Sequence, residues 1–290
     1  MHHRVNLQLA VAVAIMIGFA CVSPLRSHPA KPMAFEVVSV KPHPDGDTRF
    51  SFPQFLPGGR FTSDAPLYFV VGAAYNLPFN PSVRLTGFPT SMPAYRIDAT
   101  APADALPTGL VGQARIEKMR LMLQTLLADR FKLVIRRETK EMPLYALVVN
   151  KGGPKLQKAD IEEKDCPEAS ANPGPGTPQT CHTIGGGQGR GLHARAADMS
   201  DVVRFVENWT GRPLVDKTGI KGLYRLDTLG WQPMQVGPPA AAETKAEDGR
   251  DFADVPTLFT VFEQLGLKME SQKGPVDVYV VEHIEKPTEN

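Results

Sequence analysis

An excess of charge of either sign is missing from this sequence: 32 Lys and Arg stand against 31 Asp and Glu in 290 residues. A nucleic-acid-binding chain needs a basic face, and none is suggested here. A polybasic run for anionic membranes is missing too. Long apolar runs are nearly absent. The one clear case, Leu9–Ala20 (LAVAVAIMIGFA), is short for a spanning helix, which needs about 20 residues. It follows Met1-His2-His3-Arg4 and precedes Cys21, Ser23, Pro24, Ser27, Pro29 and Ala30. That is the order of a secretory signal. Residues 1–30 are therefore expected to be a signal peptide, with the mature chain starting between Cys21 and Lys31 and no membrane span afterwards. An uncleaved anchor and a lipoprotein acylated at Cys21 are the alternatives. Gly18 and Phe19 depart from the residues that normally precede a lipidated cysteine.

Cysteine is scarce, with three in the chain. Loss of the signal leaves Cys166 and Cys181. An even count in an exported protein favours a disulfide. Closing a loop of about 15 residues would stabilise the fold by roughly 3 kcal/mol in the chain-entropy picture. Two free thiols are the alternative. A metal site lacks support: His182 adjoins Cys181, but there is no second Cys-x-x-Cys and no spaced His pair.

Catalytic motifs are missing as well. There is no Gly-x-Ser-x-Gly elbow, no His-Glu-x-x-His and no Ser-x-x-Lys with partners. The glycine run Gly185–Gly191 lacks the Lys-Ser/Thr of a phosphate loop and reads as a flexible connector. His43, His182, His193 and His283 read as surface or half-buried residues. Asp98 and Asp227 read as the polar face of strands, paired to Arg96 or Arg225. Phe205 and Trp209 read as core. Asp216-Lys217-Thr218-Gly219 reads as a turn, with a binding role for Asp216, Lys217 and Thr218 as the alternative. No catalytic, cofactor or metal residue is assigned.

What the chain does have is proline, glycine and a repeat. The 27 Pro and 25 Gly gather at 42–59, 78–93, 101–112, 152–154, 167–191 and 232–240 and mark loops. At a spacing of about 130 residues the sequence resembles itself. Tyr95–Thr100 matches Tyr224–Thr228, Phe131–Leu133 matches Leu267–Met269, and Pro143–Val149 matches Pro275–Val281, so that Tyr145 falls on Asp277. The expected fold is α+β, a tandem duplication of a β-α-β-β-α-β-β unit. In each half, two helices should pack on a small mixed sheet. The first half spans 31–160, with an extra strand at Phe35–Lys41. A Pro/Gly-rich linker spans 161–189. The second half spans 190–290, with an insertion at 232–254. Helices are expected at Leu67–Asn76, Glu117–Arg130, from Asp198, and at Pro256–Gln264, each with an apolar face. Lys268–Gln272 and Val276–Ile284 are expected to form a closing hairpin.

Several segments carry a wider resemblance: FEVVSVKP (Phe35–Pro42), MLQTLLADRF (Met122–Phe131), RETKEMPLYALVVNKGGPKL (Arg137–Leu156), GRPLVDKTGIKGLY (Gly211–Tyr224) and ESQKGPVDVYVVEHIEKPTEN (Glu270–Asn290). They are similar to a secreted family of unknown function, abundant in soil bacteria of the acidobacterial kind. In that family a related domain is sometimes fused behind a BlaR-type membrane metallopeptidase sensor. At fold level, Asp198–Gly222 with Leu258–Glu285 resembles the short N-terminal domains of secretins and TonB systems, through Trp209-Thr210-Gly211, Val215-Asp216 and Leu265-Gly266-Leu267. These resemblances imply a periplasmic or secreted, non-enzymatic binding module whose partner is an envelope or periplasmic protein. A ligand-sensing domain of BlaR-type signalling is the runner-up, and an enzyme with an unfamiliar site comes third. Neither cofactor nor oligomeric state is implied.

Overall fold

The computed structural model describes residues 32–44, 46–79, 83–167, 181–234, 251 and 254–287. The expected signal peptide, residues 168–180 of the expected linker and most of the 232–254 insertion lie outside these. The described part is a mixed α+β fold with four α-helices and three four-stranded sheets. No helix among the described residues is long and apolar enough to cross a membrane.

The first sheet is antiparallel, in the order β1 (Val37–Pro42), β5 (Ala94–Thr100), β3 (Arg60–Pro66), β2 (Ser51–Leu56). Phe61, Ala65, Tyr95, Ile97 and Ala99 point inward from its two central strands. They pack on α1 (Leu67–Ala74) and α2 (Gly112–Phe131). In α2, Met119, Met122, Leu123, Leu126 and Leu127 recur at three and four residues and form one buried stripe. Lys132 ends this helix in the left-handed region at φ 52°, where Leu133 N–H reaches the Leu127 carbonyl.

The other antiparallel sheet has the order β7 (Gln157–Lys158), β11 (Tyr224–Asp227), β9 (Gly191–Ala197), β8 (Gly185–Gly187). It shares a core with α3 (Met199–Val206) and α4 (Leu258–Gln264). Asp198 caps α3 through a reciprocal box with Asp201, and Thr257 caps α4. Tyr95 pairs with Ala65 and Tyr224 pairs with Ala197. Each alanine stands two residues before a helix begins.

The central sheet joins the halves and corrects the expected closing hairpin. Residues 267–283 form one strand, β12 (Leu267–His283), and Val134–Val149 form its counterpart β6. The two pair antiparallel over their length, from Leu267↔Val149 to His283↔Val134. The closing strands therefore belong to one shared sheet, not to a sheet in each half. Two short strands complete it, each crossing to the other half. β4 (Leu85–Thr86) runs parallel to β12, and β10 (Leu214–Asp216) runs parallel to β6. Leu85 pairs with Tyr279, and Leu214 with Tyr145. Tyr279 N–H donates to the Arg84 carbonyl (2.7 Å) and Tyr145 N–H to that of Pro213 (2.8 Å). Tyr145 and Tyr279 thus each donate to a crossing strand, whereas the sequence match set Tyr145 on Asp277. Hairpin closure failed as an expectation because Gly274-Pro275 sits mid-strand opposite Met142 and Glu141 and makes no turn there.

Candidate functional site

Two places concentrate chemistry. The first surrounds His182, which is buried and not half-exposed as the sequence suggested. It adopts a left-handed backbone (φ 61°), an uncommon conformation for a residue with a Cβ. Its Nδ1 faces Asp201 Oδ2 at 2.7 Å and its Nε2 faces Glu163 Oε2 at 2.7 Å. Two carboxylate partners require both ring nitrogens to donate, so the ring is an imidazolium. Burial pushes its pKa down. The hydrogen bond and charge of Asp201, then those of Glu163, outweigh burial and raise it from 6.5 to about 9. Burial acts to raise the Asp201 pKa, but His182 and Arg204 hold it below the ordinary value.

The network ties four chain segments together: the start of α2, the turn at Glu163, His182 and the start of α3. Glu163 Oε1 accepts Gln113 N–H (2.8 Å) at the start of α2, a helix whose own N-cap Val111 offers no side-chain oxygen. The carboxylate thus caps the helix from outside. Gly112 (φ 55°) is needed there, because a Cβ would lie 1.9 Å from Glu163 Oε1. Asp201 Oδ1 accepts from Gln113 Nε2 (3.2 Å) and Arg204 (3.4 Å). Cys166 and Cys181 form the expected disulfide beside this network. Glu163 with Cys166 and His182, and His182 with Asp198 and Asp201, have the spacing of metal-ligand groups. The Cys166 sulfur is spent in the disulfide, however, and both His182 nitrogens carry protons. The residues present suit a charged staple, not a cation.

A pH dependence follows. In the folded chain His182 holds its proton up to about pH 9, whereas the unfolded value is near 6.5. Its contribution, roughly 3 kcal/mol, is complete below pH 6.5 and is lost as pH rises through about 9. The same pair also weakens in acid, as Asp201 protonates. Urea unfolding at intervals from pH 6 to 10 should show the alkaline fall in the native sequence and a much shallower one in His182→Gln. Parallel curves for the two proteins would show that the imidazolium carries no stability.

The second place is an open cavity of about 690 Å³ where α1 meets α3, lined by Tyr68, Phe69, Phe79, Arg204, Phe205 and Trp209 among others. Its rings form two groups, one on each side. Phe69 stacks on Phe79 (4.8 Å), Phe52 meets both edge-on (5.2 and 4.5 Å), and Phe205 touches Trp209 (5.0 Å). Phe52 is 41% exposed and Phe79 51%. Phe205 and Trp209, read from sequence as core, are half-buried and face this space. The glycine run that read as a flexible connector instead supplies β8, which supports the wall. At Gly187 (φ 129°) a Cβ would lie 2.7 Å from the Trp209 ring. On its far side Trp209 meets the fully buried Trp231 edge-on at 5.6 Å. Arg204 also lines a neighbouring cavity of about 590 Å³ that holds Arg84, Glu117, Arg137, Glu207 and Asp277.

The remaining candidates have local partners. His43 bonds Asp64 (2.6 Å), His193 bonds Asp227 (3.0 Å) and His283 bonds Glu285 (2.7 Å). Arg96 pairs with Asp64, not with the expected Asp98, which accepts from Thr62. Asp216 Oδ1 accepts from Thr218 N–H (2.8 Å) and Oγ1 (2.7 Å), and Lys217 reaches Gln272 (2.8 Å).

A family model described as a protein of unknown function (DUF3738) matches residues 70–284. The chain belongs to that family. The matched span runs from within α1 to the end of β12, so the family unit contains both long strands and both crossing strands. It also contains His182, Arg204 and most of the aromatic cavity. No curated protein and no solved structure matches the chain.

Proposed function

We propose that this protein is an exported, non-catalytic binding module of the bacterial envelope, and that the aromatic cavity between α1 and α3 is its recognition surface. The observation that carries the reading is the set of ring faces left in contact with water around that cavity. Clustered exposed aromatics of this kind mark binding sites, since burying them on a partner gains the apolar and ring-stacking free energy that folding did not use. The disulfide fits an oxidising compartment, and the secretory-signal pattern supports export. The His182 network acts in this reading as a staple that fixes α2 to α3, the wall of the cavity. Its acid and base groups are committed to one another and leave no free nucleophile or base among them. A ligand-sensing role, as the resemblance to BlaR-linked domains implies, would use the same cavity.

The cavity has a built-in reporter. Of the two tryptophans, Trp231 is fully buried and Trp209 lines the cavity. A neutral aromatic probe, N-acetyl-phenylalaninamide, should change the emission of the folded protein saturably. Phe79→Ala, at an exposed position, should weaken that response several-fold with little change in melting temperature. An emission that stays flat with this probe and with its charged relatives would end the binding-module reading of this cavity.

A further inference from the structure

The cavity is not lined by rings alone. Arg204 stands at its wall, and the acidic residue nearest to it is heavily shared. Asp201 already receives His182 at 2.7 Å, the Asp198 N–H at 3.1 Å and Gln113 at 3.2 Å. The Arg204 contact, at 3.4 Å, is the longest of the four. Good charge-assisted bonds to carboxylates run about 2.7–2.9 Å. Arg204 is therefore held at one corner and keeps donors for another acceptor; its side chain is one-third exposed. Next to it in charge is Arg120 of α2, whose buried Nε has no hydrogen-bond partner among the described residues. Burial and the like charge of Arg204 hold the Arg120 pKa down at about 10. Arg120 does not itself line the cavity, but its like charge adds to that of Arg204 at the wall and favours an anion there.

The positive wall also decides what the rings are for. An aromatic cage for a quaternary ammonium leaves its floor free of cations; here Arg204 would repel such a ligand. Addition of a peptide strand to the neighbouring sheet edge is blocked. The edge strand β2 carries Pro53, which has no N–H, and its register slips between Ser51 and Gln54. What fits is a compact molecule with a flat apolar ring and one acidic group, of the size that a cavity of several hundred cubic ångströms encloses.

Resting on the reading of the cavity as the recognition surface, we propose that its ligand is a small aromatic carboxylate. The ring enters between Phe69, Phe79, Phe205 and Trp209, and the carboxylate sits on the Arg204 guanidinium. The planar fork of arginine matches the two oxygens of a carboxylate.

The test uses the full mature protein and Trp209 emission. N-acetyl-phenylalanine should bind at least about tenfold more tightly than N-acetyl-phenylalaninamide, the same ring without the charge. Acetate, the charge without the ring, should not bind at similar concentrations. Arg204→Gln should bring the acid down to the affinity of the amide, while the amide itself binds as before. Phe79→Ala should weaken both. Equal affinity for acid and amide in the native protein would overturn the carboxylate assignment and leave the aromatic recognition surface standing. So would a preference for the acid that survives in Arg204→Gln. No response to either compound would remove both.

Discussion

Each half of this chain, produced alone, is expected to fail to fold, and the two halves produced together are expected to assemble. The pieces would be residues 32–167 and 181–287, with Cys166 and Cys181 replaced by serine so that no covalent link remains. The reason lies in who completes whose core. The core of the first half includes Val281, with Tyr279 and Ile284 packed against it. The core of the second includes Leu147, with Tyr145 and Val149 against it. Alone, the first half would leave the 16-residue β6 with neither of its neighbours, β12 and β10, and β4 with nothing to pair with. Unpaired edges of that length associate or aggregate. Co-production should give one soluble complex with native circular dichroism and a single unfolding transition. A monomeric first half that unfolds cooperatively by itself would show that the crossing strands are incidental.

The same crossing explains how far the sequence could be read. Helix positions followed from local rules. The buried stripe of α2 was visible in its three-and-four spacing, and Asp198 announced the start of α3 because a cap is a short-range hydrogen bond. The strand at Leu214–Asp216 was found, but its partner was not. Its neighbour in space is Tyr145, far off in the chain, and periodicity carries no information on which strand lies alongside. Gly274-Pro275 read as a turn because those residues usually punctuate; here Gly274 lies opposite Met142 within a continuous ladder. The edge strand β2 and the glycine strand β8 were read as loops for the same compositional reason.

The site was less legible than the fold. His182 was visible as a residue beside a cysteine, but its partners Asp201 and Glu163 come from a helix start and an isolated 3-10 turn. Gln113 brings the start of α2 into the same cluster through Glu163 and Asp201, with Gly112 giving room for that approach. A hint was present in Asp198 and Asp201, spaced as a capping pair, since an acidic box leaves a buried charge in search of a cation. The aromatic cavity is assembled from Phe69 and Phe79 of one half and Phe205 and Trp209 of the other. In sequence Phe205 and Trp209 read as core and Phe79 falls in a stretch read as a loop, so nothing joined them. They line one cavity only because the fold brings the two segments together.

Replacing Glu207 with glutamine is expected to remove about 3–5 kcal/mol of stability, the cost typical of breaking a buried ion pair on one side. Glu207 follows α3, and its side chain is 5% exposed. Its two oxygens receive Nε and an Nη of Arg84 at 2.5 and 2.6 Å, and one of them also receives the Leu214 N–H at 2.8 Å. Arg84 donates to the Leu214 carbonyl as well, at 3.2 Å, while its own carbonyl accepts the Tyr279 N–H. One residue of the first half thus holds β10 through its side chain and β12 through its backbone. Contrast the exposed pairs Arg136–Glu282 and Arg137–Asp277 on the long strands, where water screens the charges and each contributes about 0–1 kcal/mol. Glutamine keeps the shape of Glu207 but leaves Arg84 without its counter-charge. A paired Arg84→Met and Glu207→Leu change should recover part of the loss, because no isolated charge remains. It should not recover all of it, because the Leu214 N–H loses its acceptor, at a further cost of about 1–3 kcal/mol. Urea denaturation of the native protein and these two variants gives the comparison, and the loss in Glu207→Gln should persist in about 0.5 M salt, where exposed pairs are screened. If Glu207→Gln unfolds within about 1 kcal/mol of the native protein, the pair is not the clamp between halves that its geometry describes.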